Sequence, residues 1–251
     1  MEIIESAQNA KIKAWKKLHT KKERDKSGLF LIEGKHLIEE ALKSQLSIKD
    51  LVIQEGRQMP EEWNVKELTK VYVTDRVMKE LTETETPQGI LAVCEQPEKE
   101  NLPLDDGKYL FIDAVQDPGN LGAMIRTADA AGMSGVVLGQ GTADPYNGKV
   151  IRSTQGSLFH LPIQKMNLEE AVEICKENKL PVFGTSLKGS TYTAIQPQKK
   201  FALIVGNEGS GVNPELLEQT DQNLYIPIFG EAESLNVAIA TGILLYHLRE
   251  D

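Results

Sequence analysis

The chain has 251 residues, enough for one large hydrophobic core or two small ones. No apolar run nears the roughly 20 residues of a membrane span, and the N-terminal MEIIESAQNAKIKAWKK lacks the apolar stretch of a secretory signal. Two distant cysteines, Cys94 and Cys175, and four scattered histidines offer no metal-ligand spacing, so a cytoplasmic protein without a structural metal is expected.

The net charge of −9 speaks against a nucleic-acid partner, but the charge is unevenly spread. Residues 11–26 hold eight basic groups against Glu23 and Asp25, a local net of +6. Residues 101–251 carry a net of −7. A basic block on an acidic body is either a phosphate-contacting surface or a solvated helix face.

In chain order, residues 7–18 read as a helix with Ile12, Trp15 and Leu18 on one side. Ser27-Gly28 breaks that pattern, and 29–32 reads as a strand. A helix over 36–43 follows the Glu33-Gly34 turn. Further strands are expected at 51–53, 71–73 and 90–94, with a helix at 75–81 and a turn at Thr86-Pro87-Gln88-Gly89. Residues 95–108, EQPEKENLPLDDGK, are polar and hold two prolines. They read as a linker, which places a domain boundary near residue 104, with domains 1–104 and 105–251.

Beyond the linker, short apolar strands are expected at 109–113, 135–138, 160–163, 182–185, 201–205 and 224–226. Helices are expected between most of them, at 121–131, 146–153, 168–178 and 214–219. That alternation predicts an α/β domain with a mostly parallel sheet covered on both faces.

Three polar constellations follow these strands. In Asp117-Pro118-Gly119-Asn120, Asn120 is expected as an N-cap, with Arg126 further along the same helix. Helix amides plus an arginine suit a phosphate, although Pro-Gly-Asn is also plain turn chemistry. The loop Gly206-Asn207-Glu208-Gly209-Ser210-Gly211 has glycines spaced three then two, which meets neither the GxGxxG nor the P-loop pattern. It allows close approach of a ligand to backbone, or is a simple turn. Glu208 in it suits a ribose, an amide or a basic side chain better than a phosphate. In Glu233-Ser234-Leu235-Asn236, Ser234 is expected as the cap of an apolar helix, with Asn236 in its first turn.

Together the stretches DPGNLGAMIRTADAAGM, FALIVGNEGSGV and LYIPIFGEAESLNVAIATGILLY resemble, in order, the signature motifs of the SpoU (TrmH-type) RNA 2′-O-ribose methyltransferases of the SPOUT superfamily. Ser153-Thr154-Gln155-Gly156-Ser157 is a weaker fourth match. LFLIEGKHLIEEAL and TPQGILAV resemble the small L30e-like RNA-binding domain that precedes the catalytic domain in many members.

The resemblance implies a SPOUT α/β sheet closed by a deep trefoil knot, a homodimer, and S-adenosylmethionine held near Thr185, Ser186, Gly206, Ile226 and Leu235. It implies catalytic roles for Asn120, Arg126, Glu208, Ser234 and Asn236, with rRNA or tRNA as substrate and no metal or membrane. Under this reading Lys16, Lys17, Lys21, Lys22 and Arg24 become RNA contacts, and Arg126 with Arg152 forms a local positive patch. A catalytically silent RNA-binding protein is the alternative. A generic nucleotide-binding oxidoreductase is weaker, for want of GxGxxG.

Overall fold

The computed structural model describes residues 3–61, 63, 65–98 and 101–250. Positions 99 and 100 of the expected linker lie outside these. The chain forms two compact units, Met1–Glu98 with Tyr146–Phe159, and Lys99–Pro145 with His160–Asp251. The first unit thus takes in a second, later segment, Tyr146–Phe159, beside its N-terminal stretch.

The first unit is built on a mixed five-stranded sheet. Its strands are β1 (Ile3–Ile4), β2 (Leu29–Glu33), β3 (Ile48–Gln54), β4 (Thr69–Val73) and β5 (Ile90–Glu95), in the order β1-β4-β3-β5-β2. β5 runs antiparallel to β2 and β3, whereas β4 is parallel to β3 and β1. Helix α1 (Ala10–Lys17) starts three residues later than expected, because Asn9 is its cap and accepts from the Lys11 amide at 2.9 Å. Ile12 and Trp15 of α1 pack with Val77, Met78 and Leu81 of α4 (Asp75–Leu81) and with Val52, Val73 and Val93 of the sheet.

Between α1 and β2 the basic block forms a second helix, α2 (Lys21–Ser27), capped by Thr20 and ended by Gly28 at φ +68°. Here Gly28 supplies a left-handed residue that a side chain would resist. Helix α3 (Lys35–Lys43) buries Leu37, Ile38 and Ala41.

The second unit is an all-parallel six-stranded sheet. It comprises β6 (Lys108–Ile112), β7 (Gly135–Leu138), β8 (Ile163–Lys165), β9 (Val182–Thr191), β10 (Phe201–Val205) and β11 (Gln222–Tyr225), in the order β11-β9-β10-β6-β7-β8. Its central strands β6, β7 and β10 are almost wholly apolar and buried, as a sheet covered on both faces requires. Helix α7 (Leu168–Glu177) contributes Leu168, Ala171, Val172 and Cys175 to a core with Tyr109, Phe111, Val137, Ala202 and Ile204. Helices α5 (Pro118–Ala130) and α9 (Val237–Leu248) pack on each other, and the Tyr246 hydroxyl donates to the Ala130 carbonyl at 3.2 Å.

Two strands depart from expectation. β8 begins at Ile163, not His160: Pro162 has no amide to give, and the ladder with β7 opens where Val136 N–H reaches the Pro162 carbonyl at 2.9 Å. β9 runs on to Thr191, because its pairing with β11 skips from Gly184 to Ser190 and pushes residues 185–189 out of the ladder. Gly189, at φ +139°, closes this bulge where a Cβ would overlap the Asn223 carbonyl.

Candidate functional site

Strand order decides where a site forms. From β6 the chain winds outward through β7 and β8, then returns to the other side through β9, β10 and β11. β6 and β10 are therefore neighbours whose connections leave in opposite directions, and the crevice at their C-terminal ends is where open parallel sheets place ligands. The first two polar constellations leave these two strands.

After β6, Asp117 and not Asn120 caps α5: its carboxylate accepts the Asn120 amide at 2.8 Å, and Pro118, which has no amide to leave unpaired, occupies the first helical position. Asn120 thus sits inside the first turn, its side chain available for other partners. Its Nδ2 donates to Glu208 Oε1 at 3.0 Å, and its Oδ1 accepts from Asn236 Nδ2 at 2.9 Å. Asn236 in turn, and not Ser234, caps α9, its Oδ1 accepting the Ala238 and Ile239 amides at 2.9 and 3.3 Å. One hydrogen-bonded line therefore joins Glu208, Asn120 and Asn236 across three separate connections.

Glu208 is the anchor of this line. Besides Asn120 it accepts the amides of Gln116 at 3.3 Å and Asp117 at 3.2 Å. Burial pushes its carboxyl upward, but the hydrogen bonds from Asn120 and the backbone amides outweigh that and hold it below the usual carboxylate range. Glu208 is thus ionised and fully engaged, which suits holding Asn120 and not accepting a proton. Of the ribose, amide or basic side chain expected to suit Glu208, the geometry supplies the Asn120 amide.

The loop bearing Glu208 is locked by a residue the sequence reading passed over. Asn207 Oδ1 accepts the amides of Gly209 and Ser210 at 2.9 and 3.1 Å, while its Nδ2 donates to the Ala114 carbonyl at 2.8 Å. Its position at the head of a glycine-rich turn was the available signal. At Gly206 a Cβ would overlap the backbone of Gly211 and Val212, so the chain itself, not a ligand, demands glycine there.

Other expected residues are placed differently. Thr185 and Ser186 lie in the β9 bulge, and Ile226 follows β11 directly. Ser234 and Leu235 are exposed. Among the described residues, no hydrogen bond uses the main chain of residues 227–235, which leaves an edge of donors and acceptors beside the half-buried Ile226 and Ile228. Free main-chain groups next to apolar side chains suit a ligand with both a polar edge and an apolar face. Arg126 is exposed and has no hydrogen bond or ion pair among the described residues. Six residues past Asn120, it lies about 120° round the helix from it.

In the first unit, Lys16, Lys17, Lys21 and Lys22 are exposed, Lys16 paired with Glu80 and Lys21 with Asp25. Arg24 departs from that set: it is 3 % exposed, and Nη1 donates to the Leu18 carbonyl at 2.7 Å, so it secures the end of α1 instead of facing solvent. Arg152 lies on α6 (Gly148–Thr154), within the first unit, and lines a small cavity with Arg24, His19, Glu33 and Glu83. Arg126 belongs to the second unit, so neither unit by itself contains the expected joint patch.

Residues 107–246 match the SpoU rRNA Methylase family, and residues 9–92 match an MRM3-like substrate binding domain. The chain is 54% identical over 250 residues to the 23S rRNA (guanosine(2553)-2'-O)-methyltransferase RlmP of Bacillus subtilis, covering 99% of this chain and 100% of that one. An AdoMet-bound rRNA methyltransferase from Sinorhizobium meliloti superposes with a TM-score of 0.88 at 35% identity, over 98% of this chain and 97% of that one. The SpoU methyltransferase AviRb from Streptomyces viridochromogenes, in complex with AdoMet, gives 0.87 at 27% identity, over 96% and 97%. The Glu208–Asn120–Asn236 line lies within the matched residues 107–246, and the chain belongs to the SpoU rRNA methylase family.

Proposed function

We propose that the protein is an S-adenosylmethionine-dependent methyltransferase that methylates a ribose 2′-OH of ribosomal RNA, most specifically a guanosine of 23S rRNA as in the Bacillus subtilis relative. The observation that carries this is the line from Glu208 through Asn120 to Asn236 at the crevice between β6 and β10. When bound, S-adenosylmethionine supplies the electrophilic methyl. The unpaired main chain of residues 227–235, Ile226, Leu235, and the β9 bulge with Thr185 and Ser186 hold it beside Gly206.

Methyl transfer to a hydroxyl forms an O–CH3 bond while the sulfonium C–S bond and the O–H bond break, the sulfide leaving and the proton passing to water, so it needs orientation of the hydroxyl and stabilisation of the developing alkoxide. Ser234 and Asn236 orient the ribose, and Glu208 fixes Asn120. Arg126 binds the phosphate beside the target ribose, and its permanent charge stabilises the alkoxide, a role suited to a group that does not lose its proton near neutral pH. The exposed lysines 16, 17, 21 and 22 supply affinity for the RNA backbone.

The finer architecture follows the same reading. The segment from β10 through α9 threads a trefoil knot, and the first unit is L30e-like, supported by whole-length similarity to the two AdoMet-bound structures. The protein works in the cytoplasm as a homodimer. Support for the dimer comes from α9, apolar on nearly every side, with Ile239 59% and Tyr246 55% exposed two turns apart.

The test is transfer of tritium from labelled S-adenosylmethionine into unmethylated ribosomal RNA, with the product nucleotide mapped. Binding of RNA without incorporation would replace this reading with that of a silent RNA-binding protein. Arg126→Ala is expected to lower transfer at least 100-fold while leaving S-adenosylmethionine affinity unchanged; near-normal transfer would remove Arg126 from the mechanism.

A further inference from the structure

Resting on the methyltransferase reading, the structure assigns a substrate contact outside the line of polar residues: we propose that Phe229 stacks on an unpaired RNA base next to the methylated ribose. Phe229 is 96% exposed, more than any other large apolar side chain among the described residues. It opens a continuously exposed stretch, residues 229–236, that ends in Asn236 of the site.

Three features select a base as its occupant. The stretch holds Glu231 and Glu233 and no lysine or arginine, so it repels the phosphate backbone; with its main chain turned to the cofactor, what it offers RNA is the aromatic face of Phe229. Sequence-specific contacts to RNA fall on unstacked bases laid against such faces. Next, the wall toward the adenosyl group is already formed by Ile226 and Ile228, which are half-buried, whereas Phe229 points into solvent. Finally, the apolar surface suited to a second copy is the stripe of Ile239 and Tyr246 on α9, seven residues apart on a helix. Phe229 is off that stripe, on non-helical backbone followed by Gly230. An aromatic residue there discriminates RNA sites by whether a base can be splayed out, which a phosphate contact does not do.

The experiment compares wild type with Phe229→Ala, Phe229→Leu and Phe229→Trp, using ribosomal RNA transcribed in vitro. RNA affinity, KM for RNA, S-adenosylmethionine affinity and sedimentation are each measured. Alanine and leucine are expected to weaken RNA binding and raise KM about tenfold, the scale of one base–aromatic stack, with tryptophan close to wild type. Cofactor affinity and subunit association stay unchanged. Leucine equal to phenylalanine overturns the proposal, because it shows an apolar contact without stacking. A loss of S-adenosylmethionine affinity, or of the dimer, assigns Phe229 to the cofactor wall or to the interface and overturns it likewise. Absence of transfer by the wild type defeats the parent reading alone; unchanged RNA binding by the alanine variant defeats this one.

Discussion

The connections after β10 and β11 both leave the C-terminal ends of parallel strands and both border the site, yet they are held in opposite ways. The one after β10 is closed on itself: Asn207 and Gly211 exchange main-chain hydrogen bonds at 3.0 and 2.9 Å, and the Asn207 side chain gathers the amides of Gly209 and Ser210. The one after β11 uses none of its main chain over residues 227–235 in any hydrogen bond among the described residues. The first is finished before a ligand arrives and positions Glu208. The second leaves its donors and acceptors without partners in the chain among the described residues. Preorganisation is thus concentrated where a side chain must be aimed, and the proposed cofactor contacts fall where main-chain groups are left open.

The largest expected effect comes from breaking the closed loop at its tightest point. Gly206→Ala places a methyl group against the backbone of Gly211 and Val212, which no rotamer change relieves. A destabilisation of about 3 kcal/mol is expected, read as a fall of about 10 °C in thermal midpoint, with transfer lost through misplacement of Glu208. Asn207→Ala follows. It removes the acceptor for two amides and the donor to Ala114, costing about 2 kcal/mol, and the change shows in denaturant unfolding and in a lower kcat with little change in KM for S-adenosylmethionine. If either variant were as stable as wild type and fully active, the closed loop would not be what positions the site.

How much of this was legible beforehand differs between the two connections. The strands β7 and β10 were readable from buried apolar runs, and Glu208 stood out as an acid in a glycine-rich turn. The packing demand on Gly206 was not readable, because glycine spacing does not say whether a ligand or the chain itself fills the missing Cβ. Both caps were shifted: Asp117 displaces Asn120, and Asn236 displaces Ser234. Each stretch holds two residues with capping chemistry, and tertiary contacts choose between them. Asn120 had to be inside the helix to reach Glu208 and Asn236, which nothing local encodes. Burial of Arg24 was hidden for the same reason: among eight basic residues in one block, only packing against the end of α1 distinguishes it.

The open connection is tested by hydrogen exchange. Without ligand, the amides of residues 228–235 are expected to exchange quickly, and those of Gly209 and Ser210 slowly. Saturating S-adenosylmethionine is expected to slow the first group and leave the second nearly unchanged. Protection confined to residues 209–210 would move the cofactor away from the β11 connection.

The smallest effect concerns acid. Glu208→Gln keeps the size of the side chain but gives up the charge, and one of its two heads becomes an N–H facing donors. Stability is expected to change by about 1 kcal/mol or less, since the group lies near the surface, while transfer falls because Asn120 is no longer held. The sign of the pH effect follows from the depressed carboxyl of the folded protein. The ionised form is bound more tightly by the fold than by the unfolded chain. Its contribution is therefore complete above the ordinary carboxylate range and is lost as pH falls through that range toward the lower folded value. Wild-type transfer should hold while ordinary carboxylates protonate and decline only below them, whereas the glutamine variant should lack that acid limb. An identical limb in both proteins would assign it to another group and leave Glu208 as a structural acceptor whose charge is immaterial to the reaction.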